Sequence, residues 1–146
     1  MIAYLDSSVL ARAYLADEDG HDEAVGLLAD PEVAVVTGTW TRIEVSGALI
    51  RAARSGRGDA DGLLALLDGD LALDGPITVL AAPQDRVEEL ALELVRAQAL
   101  RAMDAWHLAA ASLTVPPLAE PGEEIAFASR DREQAAAAER LGFTRF

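Results

Sequence analysis

The chain has 146 residues, 51% of them apolar and 25% charged, which is the make-up of one globular domain and not of a disordered segment. With no cysteine it excludes a disulfide framework, a zinc finger, an iron–sulfur site and a thiol nucleophile. Its net charge is −13 and its twelve basic residues are all Arg, which excludes lysine chemistry and argues against a broad basic face that coats nucleic acid.

In chain order, Ile2–Leu5 is a short apolar run that stops at Asp6, and Ser7–Leu15 reads as a helix. A polar turn at Asp17–Gly20 opens a second helix over His21–Ala29. Val33–Thr37 is a continuous β-branched run, as in a buried parallel strand. Helices follow over Thr39–Arg54 and Asp59–Leu71, then a third strand over Ile77–Leu80. Gln84–Ala97 and Arg101–Leu113 are two more helices, and the prolines of Pro116–Gly122 mark a loop. Ile125–Ala128 is the fourth strand, Asp131–Leu141 the last helix and Phe143–Phe146 a short final strand. The N-terminal residues have no basic stretch and no segment reaches about 18 apolar residues, so neither a signal peptide nor a membrane span is expected, and the expected location is the cytoplasm. The 30 Ala, the absence of Asn and the Arg-only usage suggest a GC-rich coding sequence.

Strands alternating with helices predict an α/β domain around a mostly parallel sheet of four to five strands. In such sheets ligands bind beyond the carboxyl ends of the strands, where strand order reverses. Asp6 directly follows the first strand, and Asp131 follows the fourth after Ser129 and Arg130. Each has a plain alternative as the N-cap of the next helix, with Gln134 at the capping-box position for Asp131.

Two helical acids add to the pair. Glu44 could form a capping box with Thr41 or lie as a solvated surface residue. A helix that starts nearer Thr39 instead sets Glu44 a turn or more inside. Gly47, Ala48 and Arg51 then follow on its face and leave open space beside the carboxylate. Asp104 lies in the nearly all-apolar run Ala99–Ala111, where a carboxylate is costly unless paired or on a metal. His107, one turn on, either supports that acid or satisfies the core.

Four carboxylates with Ser7 and Ser8 in one crevice would repel one another unless a cation joins them. All-oxygen donors suit Mg²⁺ or Mn²⁺, ions that activate water and offset charge on a phosphate. Arg51 and Arg54, about 20° and 80° from Glu44 around the helix, are candidates to guide phosphates toward the pocket, and so RNA contacts if the substrate is RNA, with a solvated or partner-facing surface as the alternative.

Tyr4-Leu5-Asp6-Ser7-Ser8-Val9-Leu10, the internal Glu44, Met103-Asp104-Ala105-Trp106-His107-Leu108-Ala109 and Ser129-Arg130-Asp131 together resemble the PIN-domain nucleases, in particular the VapC toxins of toxin–antitoxin pairs. The resemblance runs the whole length of the chain. It departs from the common pattern in Ser-Ser after Asp6, where Thr-Ser is frequent, and in Trp106, where a smaller residue is frequent. It implies a single PIN domain over residues 1–146, an α/β/α sandwich, with Asp6, Glu44, Asp104 and Asp131 as the metal-binding acids and Ser8 and Ser129 as supporting hydroxyls. It also implies Mg²⁺- or Mn²⁺-dependent endoribonuclease activity on tRNA or rRNA that inhibits translation and growth, a homodimer, and a VapB-type antitoxin that blocks the pocket. An Arg side chain from such a partner could occupy the acids, with Val9, Leu10, Leu27, Leu28 and Trp40 as a docking groove or as ordinary core.

Four rivals are weaker. A haloacid-dehalogenase-type phosphatase needs a second Asp where Ser8 stands, and a receiver domain needs a Lys. A flap nuclease needs arches that a chain of this length lacks. A degenerate PIN fold that only binds its ligand is disfavoured by the presence of all four acids.

Overall fold

The structure, a computed structural model, describes residues 1–145. Five strands form one sheet: β1 (Ile2–Leu5), β2 (Ala34–Gly38), β3 (Ile77–Leu80), β4 (Ile125–Ala128) and β5 (Thr144–Arg145). Their order is β3-β2-β1-β4-β5, and every neighbouring pair is parallel. The strand order reverses between β1 and β4, which sets the crevice expected for a ligand beyond the ends of those two strands.

Alternation along the central strands divides the apolar residues between two layers. Ile2, Tyr4 and Phe127 face one layer of helices, α5 (Gln84–Gln98), α6 (Ala102–Thr114) and α7 (Arg132–Arg140). Ala3, Leu5, Ala126 and Ala128 face the other, where α1 (Ser7–Ala13), α3 (Thr41–Arg54) and α4 (Ala60–Asp70) supply Leu10, Val45, Leu49 and Leu67. The helix α2 (His21–Ala29) packs beside α1. The result is the α/β/α sandwich, with both sheet faces covered as a parallel sheet requires. The register pairs Tyr4 with Phe127, and their rings stack with centroids 5.3 Å apart. Among the described residues no helix is long and apolar enough to cross a membrane.

Several boundaries differ from the sequence reading for local reasons. The first helix ends at Ala13, because the amides of Tyr14 and Leu15 bond to carbonyls three residues back and tighten the last turn. β2 begins at Ala34, since the Val33 amide closes a turn onto Asp30. α3 begins at Thr41 and not at Thr39, which puts Glu44 in its first turn. The Thr41 hydroxyl bonds to Thr37 at 2.6 Å and so forms no capping box with Glu44. A short 3₁₀ turn, Pro116–Leu118, occupies part of the proline-marked loop. Of the final strand, Phe146 lies outside the described residues. Leu10 is fully buried in the core, Val9 is nearly so but lines a cavity of about 290 Å³ with Leu27, and Trp40 is exposed.

The α5–α6 connection turns at Ala99, whose φ of 55° is the left-handed conformation at the helix C-cap. A Cβ costs roughly 1–2 kcal/mol there, and glycine removes that cost at some expense in chain entropy. Ala99→Gly is therefore expected to raise stability by about 0.5 kcal/mol or more, read as a higher thermal midpoint; a lower midpoint contradicts the account.

Candidate active site

Asp6 ends β1 at the centre of the sheet, and its amide donates to the Ala128 carbonyl of β4 at 3.1 Å. Its side chain is both cap and candidate ligand. One oxygen, Oδ1, accepts from the Ser8 and Val9 amides, each at 3.0 Å, and from the Ser8 hydroxyl at 2.7 Å. This satisfies the first orphan amides of α1. The residue is only 4% exposed, and Oδ2 makes no hydrogen bond among the described residues.

Asp131 repeats the arrangement after β4. Oδ1 accepts from the Glu133 and Gln134 amides at 2.8 and 3.1 Å, capping α7, and Oδ2 accepts from Arg101 at 2.5 Å. The two readings of these aspartates from sequence, cap and crevice-facing acid, thus coexist in the same side chains. Gln134 does not complete a capping box. Its buried amide accepts from the Ser129 hydroxyl at 2.5 Å and donates to the Asp104 carbonyl at 3.0 Å. Ser129 in turn accepts from the Asp131 amide at 2.9 Å. Ser129 therefore acts on the loop backbone, and Gln134 ties the start of α6 to the start of α7.

Asp104 lies in the first turn of α6, partly exposed, with its carboxylate 3.2 Å from the Arg101 guanidinium. Arg101 bridges Asp104 and Asp131 while remaining 80% exposed. Asp6, Asp104 and Asp131 line one crevice of about 300 Å³ together with Ser8, Arg101 and Arg130. Burial raises the Asp104 carboxyl above its ordinary range. Arg101 opposes that shift, and the charges of Asp131 and Asp6 add to it. The Asp131 carboxyl is lowered, first by the Gln134 amide, with burial opposing and Arg101 and the Glu133 amide adding.

Glu44 stands apart from these three. It lines a neighbouring cavity of about 460 Å³ with Arg51, while Arg54 lines neither space. Ser7 donates to Glu44 Oε2 at 2.6 Å, and His107 Nε2 reaches the same oxygen at 2.5 Å. On the other side of the ring, Nδ1 pairs with the Tyr4 hydroxyl at 3.0 Å. Burial, then the charges of Asp6 and Glu44, push the Tyr4 hydroxyl far up, so it keeps its proton. An ionised carboxylate oxygen can only accept, so the His107 Nε2–H donates to Glu44. Burial works to raise the Glu44 carboxyl, but the bonds from His107 and Ser7 outweigh it and hold the group below its usual range. Tyr4→Phe leaves a buried ring nitrogen without its hydrogen-bond partner and is expected to cost about 1–3 kcal/mol. Urea unfolding measures this, and an unchanged midpoint would remove Tyr4 from the chain of bonds.

Sequence reasoning offered His107 as support for Asp104, whereas its ring bonds to Glu44 and Tyr4; it missed Arg101, although an Arg three residues before Asp104 is a standard helical ion-pair spacing. Among the described residues no three His, Asp or Glu side chains form a group close enough to hold a metal ion. A guanidinium spans a wider gap than a metal ion, and Asp104 and Asp131 are set around the guanidinium of Arg101.

A family model for the PIN domain matches residues 3–140. The crystal structure of PAE2754 from Pyrobaculum aerophilum is similar to this chain at a TM-score of 0.62 and 20% identity, covering 99% of this chain and 89% of that one. The structure of VapBC-1 from nontypeable Haemophilus influenzae is similar at a TM-score of 0.58 and 14% identity, covering 99% of this chain and 98% of that one. No curated protein matches the sequence. At these identities the two structures speak for the fold alone. PIN domains are generally nucleases, a class of hydrolase. With the family match extending over nearly all of its length, the chain belongs to the PIN-domain family.

Proposed function

We propose that this chain is a Mg²⁺- or Mn²⁺-dependent endoribonuclease and the VapC-type toxin of a toxin–antitoxin pair, acting in the cytoplasm on tRNA or rRNA and so inhibiting translation and growth. The observation that carries the reading is the crevice of Asp6, Asp104 and Asp131 beyond the ends of β1 and β4, where a guanidinium is already held between two of the acids. The donor set fits a hard divalent ion: carboxylate oxygens with a serine hydroxyl beside them, and no sulfur or imidazole in the crevice.

Asp6, Asp104 and Asp131 would hold the ion, and Glu44 serves the same acidic machinery from the adjoining cavity. A bound divalent ion supplies an activated water and offsets charge on the phosphate. The chain itself supplies orientation. Asp6 and Asp131 each commit Oδ1 to capping a helix, which fixes the direction of Oδ2. Ser7 and His107 hold Glu44 ionised and fix the direction of its carboxylate.

The VapBC-1 likeness and the exposed acidic crevice support a VapB-type antitoxin as partner, one that presents an Arg to the carboxylates now held by Arg101. A homodimer belongs to the same proposal, as does a single domain spanning residues 1–146. The test is cleavage of total tRNA and rRNA by the purified chain with Mg²⁺, with Mn²⁺ and with EDTA. Cleavage that needs the cation, and that falls silent in a co-purified complex until the partner is removed, is the expected result. Binding of RNA without cleavage under any cation would leave a binding module instead.

A further inference from the structure

The larger cavity beside the acidic crevice is not explained by holding a cation. Four of the twelve arginines, Arg12, Arg51, Arg57 and Arg130, line it against two carboxylates, Glu18 and Glu44, on a chain of net charge −13. Two of the four are already engaged. Arg57 bonds to Asp17 and Glu18 at 2.6–2.8 Å, and Arg130 lies 3.2 Å from Glu18, so Glu18 is neutralised within the wall.

The other two have no carboxylate partner among the described residues. Arg12 keeps its Nε buried with no hydrogen-bond partner. Arg51 is exposed, and its guanidinium lies over Gly47, where a Cβ would stand only 3.2 Å from Nη1. Gly20, with φ of +85°, makes the same kind of room for Arg12, whose Nη1 would be 2.5 Å from an added Cβ. Two backbone positions without side chains thus accommodate two guanidiniums that form no ion pair among the described residues. The remaining wall includes the small residues Ala11, Ala48 and Ala52, and the volume of about 460 Å³ is that of a small-ligand site. Ser8 and Arg130 line both this cavity and the acidic crevice, so a ligand can run from one into the other.

We infer that this cavity is a nucleotide subsite. It seats the nucleotide of single-stranded RNA next to the scissile phosphate, with Arg51 binding that nucleotide's own phosphate and the alanine wall taking the base. Arg12 adds a second positive charge beside it, Arg57 and Arg130 being held by Asp17 and Glu18, and the guanidinium fork suits a phosphate. The inference rests on the nuclease reading above and names where its substrate lies.

The test uses the full chain carrying Asp104→Asn, so that RNA is bound without being cut, and a fluorescein-labelled single-stranded RNA 12-mer. Affinity is measured from 50 to 300 mM salt. Adding Arg51→Ala is expected to weaken binding about tenfold at low salt, the loss of one charge-assisted contact. It should also flatten the slope of log Kd against log salt by about 0.7, the value for one phosphate on a single strand. Arg51→Lys should recover the slope, and Ala48→Trp, which fills the cavity, should weaken binding with the slope nearly kept. In the cleaving protein, Arg51→Ala should raise KM more than it lowers kcat. If the parent binds RNA but affinity and slope are unchanged in both Arg51→Ala and Ala48→Trp, the subsite is wrong and the nuclease reading stands. An unsubstituted chain that neither binds nor cleaves RNA with Mg²⁺ or Mn²⁺ overturns both.

Discussion

Asp6→Asn and Asp104→Asn are each expected to lower cation-dependent RNA cleavage by at least about a hundredfold while the protein stays folded, since a ligand to the cation carries several kcal/mol of the rate. The structure gives separate reasons why each variant should fold. At position 6 the capping oxygen is Oδ1, and Asn offers the same acceptor to the Ser8 and Val9 amides. Asn and Asp are nearly equal N-caps. At position 104 the substitution removes a partly buried charge that Asp131 and Asp6 repel. It also loses the contact with Arg101, but that side chain is 80% exposed and such pairs contribute little. Thermal midpoints should therefore hold or rise. Mn²⁺ titration by calorimetry gives a readout independent of cleavage, and both variants should lose most of the heat. Wild-type cleavage in both would end the assignment.

Gly38→Val should cause the largest loss of stability, about 3 kcal/mol or more. The last residue of β2 has an ordinary backbone, so the constraint is space and not conformation. A Cβ at position 38 would stand 2.5 Å from the Tyr4 hydroxyl and 2.9 Å from the Trp106 ring. Neither neighbour can yield cheaply. Tyr4 is fully buried, stacked on Phe127 and bonded to His107. Trp106 packs edge-on to His107. A side chain at position 38 therefore pushes on the bonds that hold Glu44, and activity should fall beyond what the unfolded fraction explains. Denaturant unfolding and specific activity of the folded fraction test the two effects separately. A stable, fully active Gly38→Val would show that Tyr4 is free to move.

The strands were legible in the sequence because buried parallel strands are short apolar runs with abrupt ends, and Asp6 and Asp131 stood out at those ends. Asp104 was legible as a charge inside an apolar helix. The pattern of α3 also put Glu44, Ala48 and Arg51 on one face, and all three line one cavity. What periodicity could not supply was the identity of the segments that meet that face. Arg57 lies beyond the helix end, and Arg130 and Glu18 come from distant loops, so no spacing announced their convergence. Arg54, about 80° from Glu44 around the same helix, does not line that cavity. Arg101 was hidden because its bond to Asp131 spans 30 residues and depends on a left-handed turn at an alanine, a conformation that sequence does not advertise. The aspartates carried two functions at once, and the capping pattern alone could not separate them.

The register of β1 against β4 also determines where the chain can change in length. Leu5 pairs with Ala128, and the acids follow each strand end at a fixed distance, Asp6 at once and Asp131 after two intervening residues. A residue inserted between Ala128 and Asp131 would displace a carboxylate by roughly one residue rise of 3.3 Å, beyond what a shared crevice tolerates. The same residue added between Leu118 and Glu123 would be absorbed before β4 begins, because the pairing of Ile2 with Ile125 sets the alignment anew. Length variation in this chain is therefore tolerated on the entry side of β4 and forbidden on its exit side, although the two insertion points lie only about ten residues apart.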